Sequence, residues 1–131
     1  MRNQTFLAQP CAPATAADAQ TAQDLLDTLA AHSHECVGMA ANMIGVRKRI
    51  ICVKDGNRTL LMYNPQILEQ VNAYQTTEGC LSLTGERPCT RYRRIKVEYL
   101  DENFVHRIKN FSGYTAEIIQ HEIDHCCGIV I

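Results

Sequence analysis

Toward the end of the chain, His121-Glu122-Ile123-Asp124-His125 sets two imidazoles four residues apart, with a carboxylate directly after the first. On an α-helix, side chains at i and i+4 share a face with Cβ atoms about 5–6 Å apart, so both rings can hold one metal ion. Glu122 then lies beside that ion as a candidate general base. Two solvated histidines on a helix near a chain end explain the same letters. A third ligand elsewhere would separate the two readings.

The surrounding sequence supplies the helix. Ser112 is placed to cap a segment that begins near Gly113, runs through Ala116, Ile119, Ile123 and Cys126, and stops at Gly128. A second helix is expected from about Ala16 to Ala31. There Thr15-Ala16-Ala17-Asp18 resembles a capping box with Asp in place of Glu, and Ala22, Leu25, Leu26 and Leu29 follow at helical spacing. Its expected role is to pack on a sheet. Between the helices the pattern is β: Ile50 to Val53, a Lys54-Asp55-Gly56-Asn57 turn, then Thr59 to Tyr63. Asp-Gly between apolar runs is a strong hairpin signal. Asn64-Pro65 reads as the end of that strand, with a short strand to follow over Gln66 to Val71. Arg94 to Leu100 and Val105 to Phe111 read as two more, connected by Asp101-Glu102-Asn103. The expected fold class is α+β: antiparallel strands packed around a central C-terminal helix that carries H-E-x-x-H, with an N-terminal helix. Residues 1–131 are expected to form one domain.

Thirteen basic residues against 14 acidic leave no large electrostatic footprint, so direct binding to nucleic acid or membrane is not expected. The local cluster Arg91-Tyr92-Arg93-Arg94 reads as a solvated strand edge rather than a grip on a peptide backbone or carboxylate. Met1 to Pro10 has no continuous apolar run, and no stretch approaches the roughly 20 apolar residues of a membrane span, so a cytoplasmic location is expected. Seven cysteines, an odd number without a secretory signal, point to reduced thiols rather than a disulfide framework. Of these, Cys126 and Cys127 are expected to pack as small hydrophobes. His32 and His34 read as ordinary cations at a helix end.

A third ligand is available in Glu78-Gly79-Cys80-Leu81-Ser82, a turn-like segment with a cysteine after a glycine. A thiolate there would complete a Cys-His-His set and leave a fourth position open, the arrangement of a catalytic metal. Spacing alone does not choose Cys80 over Cys52 or Cys89. In Gly38 to Gly45, two glycines bracket a run of small residues. Such a run lets the main chain approach a ligand, or simply packs a tight turn.

Three segments together, G-φ-A-A-x-x-φ-G at Gly38 to Gly45, E-G-C-L-S at Glu78 to Ser82 and Q-H-E-x-D-H at Gln120 to His125, occur in the order and approximate separation of the peptide deformylase family. The chain resembles that family over nearly its whole length. The resemblance implies metal ligands Cys80, His121 and His125, with Glu122 as the acid–base residue and the backbone N–H of Leu81 as a donor to the oxyanion. It places Gly38, Met39, Met43, Gly79, Arg87, Glu117 and Ile118 against the substrate. It implies one divalent ion, Fe(II) in the cell, with zinc, nickel or cobalt in preparations. The implied reaction is hydrolysis of the N-formyl group of peptides beginning with formylmethionine, yielding formate and a free amine. That is a step of N-terminal methionine processing in protein biosynthesis. Ribosome-associated nascent chains are the implied source of substrate, and the implied state is a monomer or weak dimer.

The chain departs from the family at named positions. Met43 stands where a glutamine amide usually donates to the oxyanion, and a thioether cannot donate. Losing such a donor typically costs about 2.7–4 kcal/mol, or 10²–10³ in rate. Asn42 carries an amide, but neighbours on an extended segment point in different directions. Glu117 stands where an apolar residue usually lines the methionine pocket, which would alter side-chain preference if it faces that pocket. Ile129-Val130-Ile131 is expected to pack as a short closing strand. Two alternatives to an active hydrolase remain open at this point. One is a deformylase-like protein that binds formylated or otherwise modified N-termini with weak activity, and the other is a non-enzymatic metal or redox module.

Overall fold

A computed structural model describes the backbone of residues 10–32, 36–80 and 83–129, and their side chains apart from 79, 80 and 83–87. Leu81, Ser82, His34, Val130 and Ile131 therefore lie outside the described residues, as do the side chains of Cys80 and Arg87. At the N-terminal side the expected capping box forms. The Thr15 N–H donates to Asp18 Oδ2 at 2.8 Å and the Ala17 N–H to Thr15 Oγ1 at 3.3 Å. It opens a 3-10 turn, Ala16–Asp18, that leads into helix α1, Ala19–Ala31. Ala22, Leu25 and Leu29 are the buried stripe of α1.

Among the described residues five antiparallel strands follow, hydrogen-bonded in chain order: β1 Gly38–Ala40, β2 Ile50–Asp55, β3 Arg58–Cys80, β4 Leu83–Leu100 and β5 His106–Ser112. Asp55 pairs with Arg58 across Gly56, whose φ of 62° is the left-handed value that the turn requires. The expected strand end at Asn64-Pro65 is not observed. β3 continues through it, pairing with β2 as far as Tyr63 and with β4 from Tyr63 onward, with a register shift between Tyr63 and Gln66. The irregularity removes the need for the N–H that Pro65 lacks. Asn64, at φ 53°, is fixed there by its side chain, which accepts from the Ala14 N–H at 2.7 Å and donates to Ala14 O at 3.0 Å. The segment Gln66 to Val71 is accordingly the middle of one long strand rather than a separate one.

Two further expectations are corrected along this hairpin. Glu78, Gly79 and Cys80 continue β3, pairing with Arg87, Glu86 and Leu83, so they are strand rather than turn. Arg91 to Arg94 lie in β4, and only Arg94 of them pairs with β5, so Arg91 to Arg93 do lie along an edge of the described strands, but that edge is not wholly solvated. Arg91 is only 4% exposed. Arg93 keeps an exposed position with its guanidinium 4.6 Å from the Tyr74 ring centroid.

Helix α2, Gly113–Cys126, packs across β1, β2 and β4. Ser112 occupies the capping position, but its side chain makes no cap bond among the described residues. Thr115 Oγ1 instead donates to Asp55 Oδ1 at 3.0 Å, tying the first turn of α2 to β2. Gly128, at φ 79°, ends the helix as expected, its N–H on His125 O. The arm before α1 closes on the same end: the Cys11 N–H donates to Cys126 O at 2.8 Å. Cys126 is buried, as expected. Cys127 is exposed and accepts from Arg49, because it falls just past the helix on the solvent side.

Candidate active site

Helix α2 presents to the sheet a face that is polar where a core helix would be apolar. His125 is fully buried, and Glu122 and His121 are only 4% and 7% exposed. Burying such groups is costly unless they are bonded or bind an ion. The two Nε2 atoms lie 3.1 Å apart. Two ring nitrogens bound to one ion at about 2.0–2.1 Å can subtend that separation. The residues present thus fit a metal.

His121 is oriented from behind. Its Nδ1 lies 2.7 Å from Glu78 Oε1, and because a carboxylate only accepts, Nδ1 carries the proton and Nε2 keeps its lone pair toward His125. Glu78 is itself held by Arg91, through Nε at 3.1 and 3.0 Å and Nη2 at 2.7 Å, while Arg91 Nη1 reaches Asp124 Oδ2 at 2.6 Å. Burial pushes the Glu78 carboxyl up, but the His121 ring N–H and the Arg91 guanidinium outweigh it and hold the group well below the usual carboxylate range. One arginine of β4 therefore fixes a carboxylate of β3 and a carboxylate of α2, and through Glu78 the first histidine. Nothing in the letters R-Y-R-R sets Arg91 apart. In the β3–β4 register it stands opposite Tyr74, four residues from Glu78 on the same face, and its long side chain spans the distance to the carboxylate.

Gln120 is a second functional residue that the sequence offered only as a motif letter. Its amide accepts from the Tyr92 N–H at 2.8 Å and donates to Tyr92 O at 2.8 Å and Ala116 O at 2.9 Å. It imitates a strand partner and pins α2 to β4 one residue before His121.

The main chain of β1 lies directly on this helix. A Cβ built on Gly38 would stand 2.6 Å from Ile118 Cγ2 and 3.2 Å from Glu122 Oε2. Gly38→Ala is thus expected to displace Ile118 and Glu122, lowering stability by about 1–3 kcal/mol through overpacking. A shift of about 1 Å at a candidate general base such as Glu122 can cost on the order of 10²-fold in rate. Thermal unfolding and kcat measured on the same variant check both parts.

The 3-10 turn that follows β1, Ala41–Ile44, carries the departures. Met43 is buried, and its sulfur accepts the Ala40 N–H at 3.4 Å, so it offers no donor. Asn42 does not replace it, because its Nδ2 is already committed to His125 O at 2.8 Å. Glu117 is half-buried and accepts from the Tyr74 hydroxyl at 3.3 Å. Burial and the neighbouring Glu78 carboxylate push its carboxyl up. Of the other expected residues, Met39 is buried in β1, paired with Cys52, and Ile118 is buried against Gly38.

Cys80 stands on β3 two residues beyond Glu78. Of the rival thiols, Cys52 is fully buried in β2 and Cys89 is half-buried in β4. Burial pushes the Cys52 thiol up, and Cys89 is pushed up to about 11 by burial and the Glu78 carboxylate against the opposing pull of Arg91.

Known proteins share this arrangement of chain. Residues 2–131 match the family described as Polypeptide deformylase. A peptide deformylase of Clostridium beijerinckii is 51% identical over 126 residues, which are 96% of this chain and 93% of that protein. The crystal structure of peptide deformylase from Thermus thermophilus superposes with a TM-score of 0.87 at 33% identity, covering 99% of this chain and 80% of that one. An actinonin-bound class I type b peptide deformylase from Acinetobacter baumannii gives 0.84 at 32% identity, covering 95% and 88%.

Proposed function

The chain belongs to the polypeptide deformylase family, metal-dependent hydrolases of the N-formyl amide, and from that premise we propose that Cys80, His121 and His125 hold its ion and Glu122 moves its proton. The observation that carries the assignment is the buried pair of Nε2 atoms 3.1 Å apart, with Glu122 following the first histidine and Glu78 behind it.

When bound, the ion supplies Lewis acidity, polarising the formyl carbonyl and acidifying the attacking water. Glu122 accepts the proton that this water gives up and returns it to the departing amine nitrogen, so that formate and a free N-terminus result. The Leu81 N–H is our candidate donor to the developing oxyanion. Among the described strands β1 pairs with β2 alone, which leaves one edge able to take the peptide as an added strand at Gly38 and Met39. Gly79, Arg87, Ile118 and Glu117 are assigned to the same substrate. The buried helix face keeps bulk water away from Glu122.

We further propose Fe(II) as the ion in the cell, with zinc, nickel or cobalt able to replace it. Nascent chains leaving a cytoplasmic ribosome are the proposed substrate source, acted on by a monomer or weak dimer. No helix among the described residues is long and apolar enough to cross a membrane.

A second reading, binding of formylated N-termini with weak activity, is favoured by one observation: Met43 cannot donate and Asn42 is engaged elsewhere. Met43→Gln discriminates. If the missing donor limits the rate, kcat rises about tenfold or more in that variant, measured as formate release from a formyl-Met-Ala peptide. An unchanged kcat would mean that the deficit is made up by other groups. Peptide binding without formate release would favour the second reading.

A further inference from the structure

The two histidines of α2 are held by different devices. His121 is oriented through its ring, by Glu78. His125 is gripped through its main chain: Asn42 Nδ2 donates to the His125 carbonyl at 2.8 Å, across 83 residues of sequence. That carbonyl lies in the last turn of the helix, where carbonyls lose their intrahelical partners, and it also receives the Gly128 N–H at 3.1 Å. Asn42 in turn belongs to the 3-10 turn closed by Gly45 N–H on Asn42 O at 3.2 Å and Val46 N–H on Ala41 O at 3.1 Å. The bond therefore joins the segment that follows β1 directly to the C-terminal end of the site helix.

The side chain is poorly suited to a purely structural role. Asn42 is fully buried, and its Oδ1 accepts no hydrogen bond from the described residues. A buried unsatisfied acceptor is destabilising, and an apolar side chain of similar size would fill the space without that penalty. The amide is explained by the one bond it makes.

We infer that Asn42 is a positioning residue for the deformylation reaction, fixing His125 against the turn that carries Met43. It acts through the His125 main chain and touches neither substrate nor ion. Without it, the last turn of α2 can slip relative to β1, and the two Nε2 atoms no longer converge on one point. The inference rests on the reading of His125 as a metal ligand.

The test compares three variants of the metal-loaded protein with wild type. Asn42→Ala removes the donor, Asn42→Ser keeps a shorter one, and Val97→Ala is a control for lost stability. Val97 is fully buried in β4, six residues along the strand from Arg91. In Asn42→Ala the rate of metal loss to a chelator is expected to rise about tenfold, and kcat to fall by a similar factor with KM within about twofold. Asn42→Ser should recover part of both. Val97→Ala should lower the melting temperature while leaving metal loss and kcat at wild-type values. If Asn42→Ala changes only the melting temperature, as the control does, the inference is wrong. Wild-type protein that holds no metal would instead defeat the underlying reading of His125, so the two failures are distinguishable.

Discussion

Glu122→Gln is expected to lower kcat by about 10²–10⁴-fold while the metal content stays at the wild-type level. The amide keeps the shape and size of the side chain against Gly38, where Glu122 Oε2 lies 3.2 Å from the position a Cβ would occupy. It cannot accept a proton from water and pass it on. The histidines, Glu78 and Arg91 are untouched by the change, so an ion should still bind. KM should move little, because the carboxylate is not part of the β1 edge proposed to receive the peptide. Metal analysis beside steady-state kinetics separates this outcome from misfolding, in which metal and rate would fall together.

The second large effect is at Arg91. Arg91→Met leaves the Glu78 carboxylate, and part of Asp124, without the cation that compensates their burial. Removing one partner of a buried pair typically costs about 3–5 kcal/mol, which urea unfolding of the variant would read directly. Loosening the carboxylate behind His121 should also lower metal affinity about 10–100-fold. The pH dependence follows from the same network. Glu78 is held below its ordinary 4.5, so below that pH the unfolded chain takes up a proton that the folded one still refuses. Its stabilising contribution is complete above about pH 4.5 and is lost as the pH falls toward its depressed folded value. Arg91→Met, which relaxes the depression, should therefore unfold with a shallower acid dependence than wild type, from a lower starting stability.

The sequence was informative wherever one residue type in a short pattern decides the local structure. Thr15 and Asp18 capped the 3-10 turn that leads into α1, Asp55-Gly56 turned the first hairpin, and Gly128 ended α2, each by a local mechanism visible in a few letters. The H-E-x-x-H spacing likewise fixed which two rings meet. It failed where long-range pairing overrides local preference. Asn64-Pro65 breaks most strands, yet here the irregularity lets β3 exchange β2 for β4 as its partner. Arg91 reads as surface charge until Glu78 and Asp124, 13 and 33 residues away, are brought to it. Gln120 and Asn42 carry no local signal either, since their partners are the main chains of Tyr92 and His125.

The buried face of α2 is proposed to hold an ion and to use it in removing formyl groups. Formate release from a formyl-Met-Ala peptide, with metal content determined on the same oxygen-free, iron-loaded sample, tests it most directly. Close to one ion per chain is expected, with turnover that disappears in Glu122→Gln. One ion per chain with no more formate than Glu122→Gln releases would contradict the proposal.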